Sequence, residues 1–267
     1  MPIVTLTTDW GASDFHVGAL KGAILSRSPQ VTLVDISHSI AHYDEAEAAF
    51  TLRHAYAHFP KGSIHIAGVN CALNSGTPLL LMAADDHYFI CAANSCLSLM
   101  FMQPSCVVSL APSEKNTGFV LLDTAPNVVH QLLSGAQVKE LGTPAKLPTA
   151  VPIEPVLSFK LSAAGEQVVA GIVGRILHID SYGNAITNIT RRLFDEHANE
   201  RSCTIYLNSN RYKVPQLFNT YTDVEMGNPV AFFNSLELLE VAASYGNASN
   251  LYRLDKENST ITVMFQD

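Results

Sequence analysis

The sequence predicts an α/β N-terminal domain, with a mostly parallel sheet and helices on both faces, followed by a smaller antiparallel β domain. First, strand-like and helix-like segments alternate through about the first 140 residues, as in sheets with helical crossovers. Second, four prolines fall between Pro144 and Pro155, the strongest linker signal in the chain. Third, the segments beyond are mostly strand-like and separated by turn residues. We therefore expect domains at residues 1–145 and 157–267, joined by a proline-rich linker at 146–156.

Short runs of β-branched and apolar residues predict the strands of both domains. In the first domain these runs occupy residues 3–8, 31–36, 64–69, 79–83, 88–92 and 106–110. In the second domain they occupy residues 168–179, 203–207, 230–233 and 260–265, and we expect them to pair antiparallel. The tripeptide Asp85-Asp86-His87 separates two of the runs and predicts a hairpin with a polar tip.

Three helices are predicted between the strands of the first domain. Apolar residues at helical spacing predict the first over residues 17–25. Asp44 stands at the N-cap position of the second, and Glu47 three residues on completes a capping-box pattern. The third is predicted near residues 126–133. Strands that alternate with helices in this way indicate a sheet covered on both faces.

Composition and charge exclude several classes of protein. The 267 residues carry 16 Lys and Arg against 24 Asp and Glu, with no basic run, which disfavours a nucleic-acid partner. The apolar runs are far shorter than the ~20 residues that span a bilayer, so no membrane association is expected. No signal peptide is visible, and the five cysteines lack a C-x-x-C motif. Reduced thiols and a cytoplasmic location are the expectation.

Two aspartates stand where the first strand ends. Ligands of open α/β sheets bind outside the carboxyl ends of strands, so Asp9 is a candidate binding residue. Its two carboxylate oxygens can accept the two hydrogen bonds of a vicinal diol such as a ribose. Asp14 follows at the mouth of the next helix. The alternative interpretation is that Asp9 closes a turn and Asp14 caps a helix.

A metal site has weak support. His38, His42 and Asp44 resemble a ligand set, but the two histidines straddle the end of a strand and do not share a helix face. Cys91 and Cys96 have no partner pair for zinc. We expect no metal.

A second candidate site lies in the C-terminal domain. The turn Asp180-Ser181-Tyr182-Gly183-Asn184 brings a carboxylate, an aromatic ring and an amide into a short span. The amide of Asn184 can read the edge of a purine, and Tyr182 can stack on the base. An ordinary hairpin turn with satisfied side chains is an equally good interpretation.

Six segments in register resemble one family, the S-adenosylmethionine (SAM) hydroxide adenosyltransferases, or SAM hydrolases, whose relatives include fluorinating and chlorinating enzymes. The segments are TTDWGASDFHVGALKGAILSRSP, VDISHSI, HFPKGSIHIAGV, DSYGNAITNI, TYTDVEMGNP and NSLELLEVAASYGNAS. The resemblance implies a β-barrel-like C-terminal domain and a homotrimer. The ligand would lie between the N-terminal domain of one subunit and the C-terminal domain of its neighbour.

The resemblance also implies roles for individual residues. In the N-terminal domain, Asp9 matches the ribose-binding aspartate, Asp14 matches one near the methionine ammonium, and Tyr43 falls where an aromatic residue walls the nucleoside. In the C-terminal domain, the matching positions are Asp180, Tyr182 and Asn184 around adenine and the methionine group, Ser235 at the amino-acid end, and Asn247-Ala248 beside adenine.

The chain departs from the family where water is activated. Asn70 replaces the carboxylate expected to hold the attacking water, and the arginine that follows it has no visible counterpart. Asn94 is retained from the Pro-Asp-Asn-Gly motif of the family, and the resemblance implies that it is a substrate-binding residue. The expected histidine falls near Phe119 or Val120. All three members of the usual Asp–Arg–His set are therefore missing.

Two functional hypotheses follow. In the first, the protein hydrolyses SAM to adenosine and L-methionine, with Asn70 placing the water and no cofactor besides SAM itself. In the second, it binds SAM or adenosine without turnover, because losing proton transfer costs ~10²–10⁴-fold in rate. A halogenating enzyme is a weaker third hypothesis, for which Ser75 and Thr77 supply hydroxyls.

Overall fold

The computed structural model describes residues 1–71, 78–111, 118–162 and 165–266, with the side chain of Asn210 excepted. Ser75 and Thr77, singled out for the halogenation hypothesis, lie outside the described residues. The chain forms two compact units, Met1–Val151 and Pro152–Asp267. The division falls inside the segment 146–156 that the sequence predicts as a linker.

The N-terminal unit is built on a seven-stranded sheet of order β2-β1-β3-β5-β4-β6-β7. Its strands are β1 (Ile3–Thr8), β2 (Thr32–Ser37), β3 (Ile64–Gly68), β4 (Leu79–Ala84), β5 (His87–Ala92), β6 (Cys106–Leu110) and β7 (Gly142–Pro144). Strands β1, β2, β3 and β5 pair in parallel, and β4 runs antiparallel to both β5 and β6. Only β4 and β7 oppose the common direction, so the predicted mostly parallel sheet is confirmed.

Helices cover both faces of this sheet, as predicted. They are α1 (Phe15–Arg27), α2 (Glu45–Ala55), α3 (Ser95–Met100) and α4 (Val120–Leu133). Alternate residues of β3 point to opposite faces. Ile64 and Ile66 join the core that contains α1 and α4 residues, whereas Ala67 joins the core that contains α2 and α3 residues. The carboxyl ends of β1 and β3 therefore lie between two helical layers.

Local signals account for most of these boundaries. The Oδ1 atom of Asp44 accepts a hydrogen bond from the Glu47 amide at 2.8 Å, so Asp44 caps α2 as predicted. The Glu47 carboxylate accepts from the Ala41 amide. Asp85 and Asp86 both have positive φ, as a two-residue type I′ hairpin requires. His87, predicted in the polar tip, instead begins β5 and is buried.

The C-terminal unit is an antiparallel sheet of eight strands that nearly closes on itself. Its strands are β8 (Val156–Leu161), β9 (Gln167–Ile179), β10 (Ala185–Thr190), β11 (Cys203–Leu207), β12 (Ser209–Val214), β13 (Pro229–Phe233), β14 (Leu238–Ala243) and β15 (Thr260–Phe265). The order is β12-β11-β15-β9-β10-β14-β13, with β8 also paired to β9. The end strands β12 and β13 contact each other, which gives the predicted barrel-like shape.

Two short helices complete this unit, α5 (Arg191–Ala198) and α6 (Ala248–Tyr252). Inward-facing apolar residues of β9, β11, β14 and β15 form one core with them, including Ile172, Ile205, Leu239 and Val263. Across the described part of the chain, the helices are all too short or too polar to cross a bilayer.

A pair of buried histidines lies on the face of the N-terminal sheet that α2 covers. The Nδ1 atom of His65 lies 2.7 Å from Thr5 Oγ1, and its Nε2 atom lies 3.1 Å from Nδ1 of His87. Tyr56 packs edge-on against both rings. Burial, together with the neighbouring His87, lowers the pKa of His65 to about 3, so this histidine is neutral in the folded protein.

We predict that this histidine destabilises the N-terminal unit in acid. Its folded pKa lies below the ordinary value, so its contribution to stability is complete above about pH 6.5 and is lost as the pH falls towards 3. Urea unfolding of the wild type and His65→Gln is the measurement. The difference between their unfolding free energies should change by about 1.4 kcal/mol per pH unit below pH 6. Parallel pH profiles for the two proteins would contradict the prediction.

Candidate functional site

Asp9 forms the centre of the candidate site in the N-terminal unit. It follows β1 and is 7% exposed. Its Oδ2 atom accepts hydrogen bonds from the backbone amides of Tyr43 at 3.0 Å and Asn70 at 3.2 Å. Both donors have left-handed backbone conformations, with φ of 65° and 49°. One carboxylate oxygen thus holds two loops in conformations that are uncommon for residues other than glycine.

The other oxygen of Asp9, Oδ1, has no hydrogen-bond partner among the described residues. The turn-closing interpretation and the binding interpretation of Asp9 are therefore compatible, with one oxygen for each. Tyr43, whose amide Asp9 holds, leaves its side chain 69% exposed at the same place. A carboxylate oxygen and an aromatic face are the two groups that a nucleoside sugar and base need.

Asn70 is fixed by Glu45, a residue that the sequence analysis did not single out. The Nδ2 atom of Asn70 donates to Glu45 Oε1 at 2.6 Å. The Glu45 Oε2 atom accepts from the amide of Ser95 at 2.7 Å and from its hydroxyl. Burial alone would raise the pKa of Glu45, but the hydrogen bonds from Ser95 and Asn70 outweigh it and lower that pKa. The carboxylate is therefore ionised at neutral pH and ties α2, α3 and the end of β3 together.

The side chain of Asn94 forms hydrogen bonds with backbone groups of the protein. Its Nδ2 atom donates to the carbonyl of Val69 at 3.0 Å, and its Oδ1 atom accepts from the amide of Cys96 as the N-cap of α3. Cys96 is thus the second residue of a helix. Asn94 positions the loop that carries Asn70.

Asp14 caps α1 and pairs with a histidine. Its Oδ1 atom accepts from the Phe15 amide at 2.6 Å and lies 3.1 Å from Nδ1 of His16. The helix-capping interpretation of Asp14 is what these contacts show. No described residue donates to Oδ2, which leaves one oxygen of this exposed carboxylate available.

An aromatic cluster lies beside this pair at the end of β1. Trp10 and Phe119 are in edge-to-face contact with ring centroids 4.9 Å apart, and His16 meets Phe119 edge-on at 5.0 Å. Trp10 packs over Gly68, where an added Cβ would lie 2.6 Å from the indole. Glycine at the end of β3 is therefore required for the indole to lie there.

The sequence set His38, His42 and Asp44 does not form a metal site. His38 is buried, with Nδ1 at 2.8 Å from Thr8 Oγ1 and Nε2 at 3.1 Å from Asp35 Oδ1. Asp44 is occupied in capping α2. Among the residues that the structure describes, no group of three His, Cys, Asp or Glu side chains is arranged to hold a metal ion.

In the C-terminal unit, Asp180 organises its own turn. Its Oδ1 atom accepts from the amides of Tyr182 at 2.9 Å and Asn184 at 2.8 Å, and its Oδ2 atom accepts from Asn184 Nδ2 at 3.0 Å. The satisfied-turn interpretation therefore describes Asp180. Tyr182 remains 77% exposed and can stack on a ring. Asn184 is buried and keeps its Oδ1 atom free of described donors.

The segment Asn247-Ala248 contacts this turn. Asn247 caps α6 by accepting from the Asn250 amide at 2.8 Å. An added Cβ on Gly183 would lie 2.2 Å from the Asn247 side chain, and Gly183 has a φ of 86°. The fold therefore brings together two segments that are more than 60 residues apart in sequence and that the resemblance places around adenine.

A buried carboxylate near Ser235 escaped the sequence analysis. Glu240, on β14, is 3% exposed and accepts from the hydroxyl of Tyr221 at 2.6 Å and from Asn234 Nδ2 at 3.0 Å. Burial and the hydrogen bond to Glu240 raise the pKa of Tyr221. The network fixes the loop 234–237 in which Ser235 stands. Its members lie in two of the six family-like segments, TYTDVEMGNP and NSLELLEVAASYGNAS, but the sequence analysis gave none of them a role.

Fold and site together define a two-domain protein with small-ligand features in each unit: an α/β unit with a buried carboxylate at the end of its first strand, and a barrel-like antiparallel unit with an aromatic turn. The family model for the SAM hydroxide adenosyltransferase N-terminal domain matches residues 4–142, and the model for the C-terminal domain matches residues 174–260. The chain belongs to the SAM hydroxide adenosyltransferase family.

Individual relatives agree with this assignment at low identity. A protein named (R)-S-adenosyl-L-methionine hydrolase from Thermus thermophilus is 26% identical over 254 residues, which cover 92% of this chain and 93% of the relative. A fluorinase from Actinoplanes sp. is 23% identical over 299 residues, covering 98% and 97%. The crystal structure of an uncharacterized conserved protein from Thermotoga maritima aligns with a TM-score of 0.82 at 21% identity, covering 98% of this chain and 99% of that one. That structural likeness shows the fold.

Proposed function

We propose that the protein binds SAM and hydrolyses it to adenosine and L-methionine by attack of water at the 5′ carbon of the ribose. The observation that carries the proposal is Asp9, a buried carboxylate with one free oxygen at the edge of the sheet, within a chain whose two halves match both family domains. The names of the relatives from Thermus thermophilus and Methanocaldococcus jannaschii support the same reaction.

The groups needed for binding are present. Asp9 Oδ1 accepts a hydrogen bond from the ribose diol, and the ring of Tyr43 packs against the nucleoside. In the C-terminal unit, Tyr182, Asn184 and the turn at Asn247-Ala248 supply a ring, an amide oxygen and backbone groups for adenine and the methionine moiety, and Ser235 supplies a hydroxyl for the amino-acid end. Asp14 Oδ2 is an acceptor for an ammonium group.

The main requirement of the reaction is that the protein positions a water molecule. Methionine leaves the sulfonium as a neutral thioether, so no general acid is needed, and the reaction uses no cofactor besides SAM as substrate. A water molecule must be held in line with the carbon–sulfur bond. Because Glu45 takes the Nδ2 donor of Asn70, the amide oxygen of Asn70 is left to accept a hydrogen bond from that water.

Binding without turnover is the competing function, favoured by Asn70 itself. An amide is no base, and the hydrogen bonds that lower the pKa of Glu45 make its carboxylate a weak one. Calorimetry with SAM and with adenosine, followed by chromatography of the same mixtures, separates the two functions. We expect both ligands to bind and adenosine to accumulate with time only in the presence of protein. Binding of SAM without adenosine release would assign the protein as a silent binder, and no binding of either ligand would overturn both functions.

We also propose a homotrimer with the ligand between subunits, located in the cytoplasm. Exposed apolar residues on β8 of the C-terminal unit support self-association, with Val156, Phe159 and Leu161 at 64%, 53% and 74% exposure. The described cysteines are all free thiols, which suits a reducing compartment.

Light scattering tests the assembly. We expect a particle three times the 28.9 kDa chain mass at micromolar concentration. Phe159→Glu should shift the protein towards monomer because it places a charge in the apolar patch, whereas Lys160→Glu serves as a matched surface change on the same strand. A wild-type monomer would contradict the intersubunit site.

A further inference from the structure

His16 is a half-buried histidine beside a carboxylate. Its side chain is 36% exposed, and Nδ1 lies 3.1 Å from Oδ1 of Asp14. In the tautomer that places a proton on Nδ1, next to that carboxylate, the lone pair of the neutral ring is on Nε2. A histidine with one nitrogen beside a carboxylate and a lone pair on the other nitrogen has the arrangement of a general base.

The ring lies on the same edge of the sheet as Asp9. His16 is 6.2 Å from the ring of Trp10, the residue next to Asp9, and 5.0 Å from the ring of Phe119. Phe15 stacks on the imidazole with ring centroids 4.1 Å apart. These rings hold the imidazole in a mainly apolar setting beside the candidate ribose site. None of them can accept a proton, so the imidazole is the basic group of the cluster.

Other described groups at this edge are less suited to take a proton. Both oxygens of Glu45 are occupied by Ser95 and Asn70. Both nitrogens of His38 are within contact distance of Thr8 and Asp35.

We propose that His16 is the proton acceptor for the attacking water, with Asp14 as its positioning residue; the inference rests on the proposed hydrolysis of SAM. The water oxygen forms a bond to the ribose 5′ carbon while the carbon–sulfur bond breaks and its electron pair stays on sulfur. One water proton passes to Nε2 of His16, and the other remains on the new 5′ hydroxyl. The imidazolium is stabilised by the Asp14 carboxylate and returns its proton to solvent.

The test compares His16→Gln, His16→Ala and a matched surface control, His58→Gln, by adenosine release at saturating SAM and by calorimetric SAM affinity. Glutamine keeps a donor for Asp14 and removes the base. We expect the rate in His16→Gln to fall about 100-fold or more, the scale of general-base catalysis, with a dissociation constant for SAM within threefold of wild type. His58→Gln should match wild type in both. Added imidazole should raise the rate of His16→Ala and leave that of His16→Gln unchanged.

Each contrary result has its own meaning. A His16→Gln protein that keeps the wild-type rate overturns the inference and leaves the proposed hydrolysis intact. A His16→Gln protein that binds SAM more weakly and keeps the wild-type rate at saturating SAM also overturns it, because His16 would then contact the substrate without taking a proton. If the wild-type protein binds SAM and releases no adenosine, both the proposed hydrolysis and the proposed role of His16 are wrong. Melting temperatures show whether each variant folds. If His16→Gln does not fold, the effect of added imidazole on the rate of His16→Ala tests the inference instead.

Discussion

Replacing Asp9 with asparagine should nearly abolish nucleoside binding while leaving the fold in place. The introduced amide oxygen can still accept the hydrogen bonds from Tyr43 and Asn70 that now go to Oδ2. The amide nitrogen then faces the ribose, where a carboxylate oxygen would have accepted from a hydroxyl. Loss of a charge-assisted bond, with a buried hydroxyl left poorly paired, costs about 2–4 kcal/mol. The dissociation constant for adenosine should rise about 30- to 1000-fold by calorimetry.

Asp86→Asn is the matched control, because that carboxylate is exposed and pairs only with Lys61 among its described partners. It should leave adenosine affinity unchanged. Asp9→Ala is the harsher variant, since it also releases the two loops with left-handed backbone and should lower the melting temperature as well. An unchanged dissociation constant for adenosine in Asp9→Asn would mean that the carboxylate only holds the two loops and does not bind the nucleoside.

The strands and helices of the N-terminal unit were predictable because their signals are local. Runs of β-branched residues, the cap at Asp44 and the two-residue turn at Asp85-Asp86 each act within a few residues of sequence. Helix α3 was missed because six residues are too few to show a helical period. His87 was misplaced because its burial depends on His65 and Tyr56, which reach it from other elements.

The candidate site was predictable only in part, for the same reason. The position of Asp9 follows from the rule that ligands bind at the carboxyl ends of strands, and the structure buries it there. The partnership of Glu45 with Asn70 joins residues 25 positions apart across two elements, and Glu45 looks in sequence like an ordinary acidic residue of a first helical turn. Its carboxylate is nevertheless what makes an amide at position 70 favourable.

That partnership changes what Asn70→Asp should do. From the sequence alone, a carboxylate at this position would raise adenosine release in a hydrolase that had lost its base, and would leave a protein remodelled for binding at background activity. In the structure, it would stand in place of an Nδ2 atom only 2.6 Å from Glu45 Oε1. Two carboxylates at that distance do not both ionise, so the pair shares a proton and its upper pKa is raised. The variant should therefore show no gain in adenosine release at neutral pH.

The same repulsion should appear in stability. Because the upper folded pKa of the pair is raised above its unfolded value, the contribution of the pair to stability is present in acid and is lost as the pH rises through that pKa. Asn70→Asp should be less stable than wild type by roughly 1–3 kcal/mol at pH 7, the range for breaking a buried polar contact, and the deficit should shrink below about pH 5. Urea unfolding at both pH values measures it, and a deficit independent of pH would contradict the like-charge argument.

Exchanging the two groups isolates the cause. In Glu45→Gln with Asn70→Asp, the introduced amide donates to the introduced carboxylate, so the hydrogen bond returns with its direction reversed and only one charge remains. We expect this double variant to recover most of the stability that Asn70→Asp loses at pH 7. Measuring Glu45→Gln alone completes the double-mutant cycle, which gives the coupling energy between the two positions. A carboxylate at position 70 is then ionised without a like charge beside it. Adenosine release that rises only in the double variant would show that Glu45 determines whether position 70 can carry a base. Additive losses of stability in the two single variants would contradict the pairing.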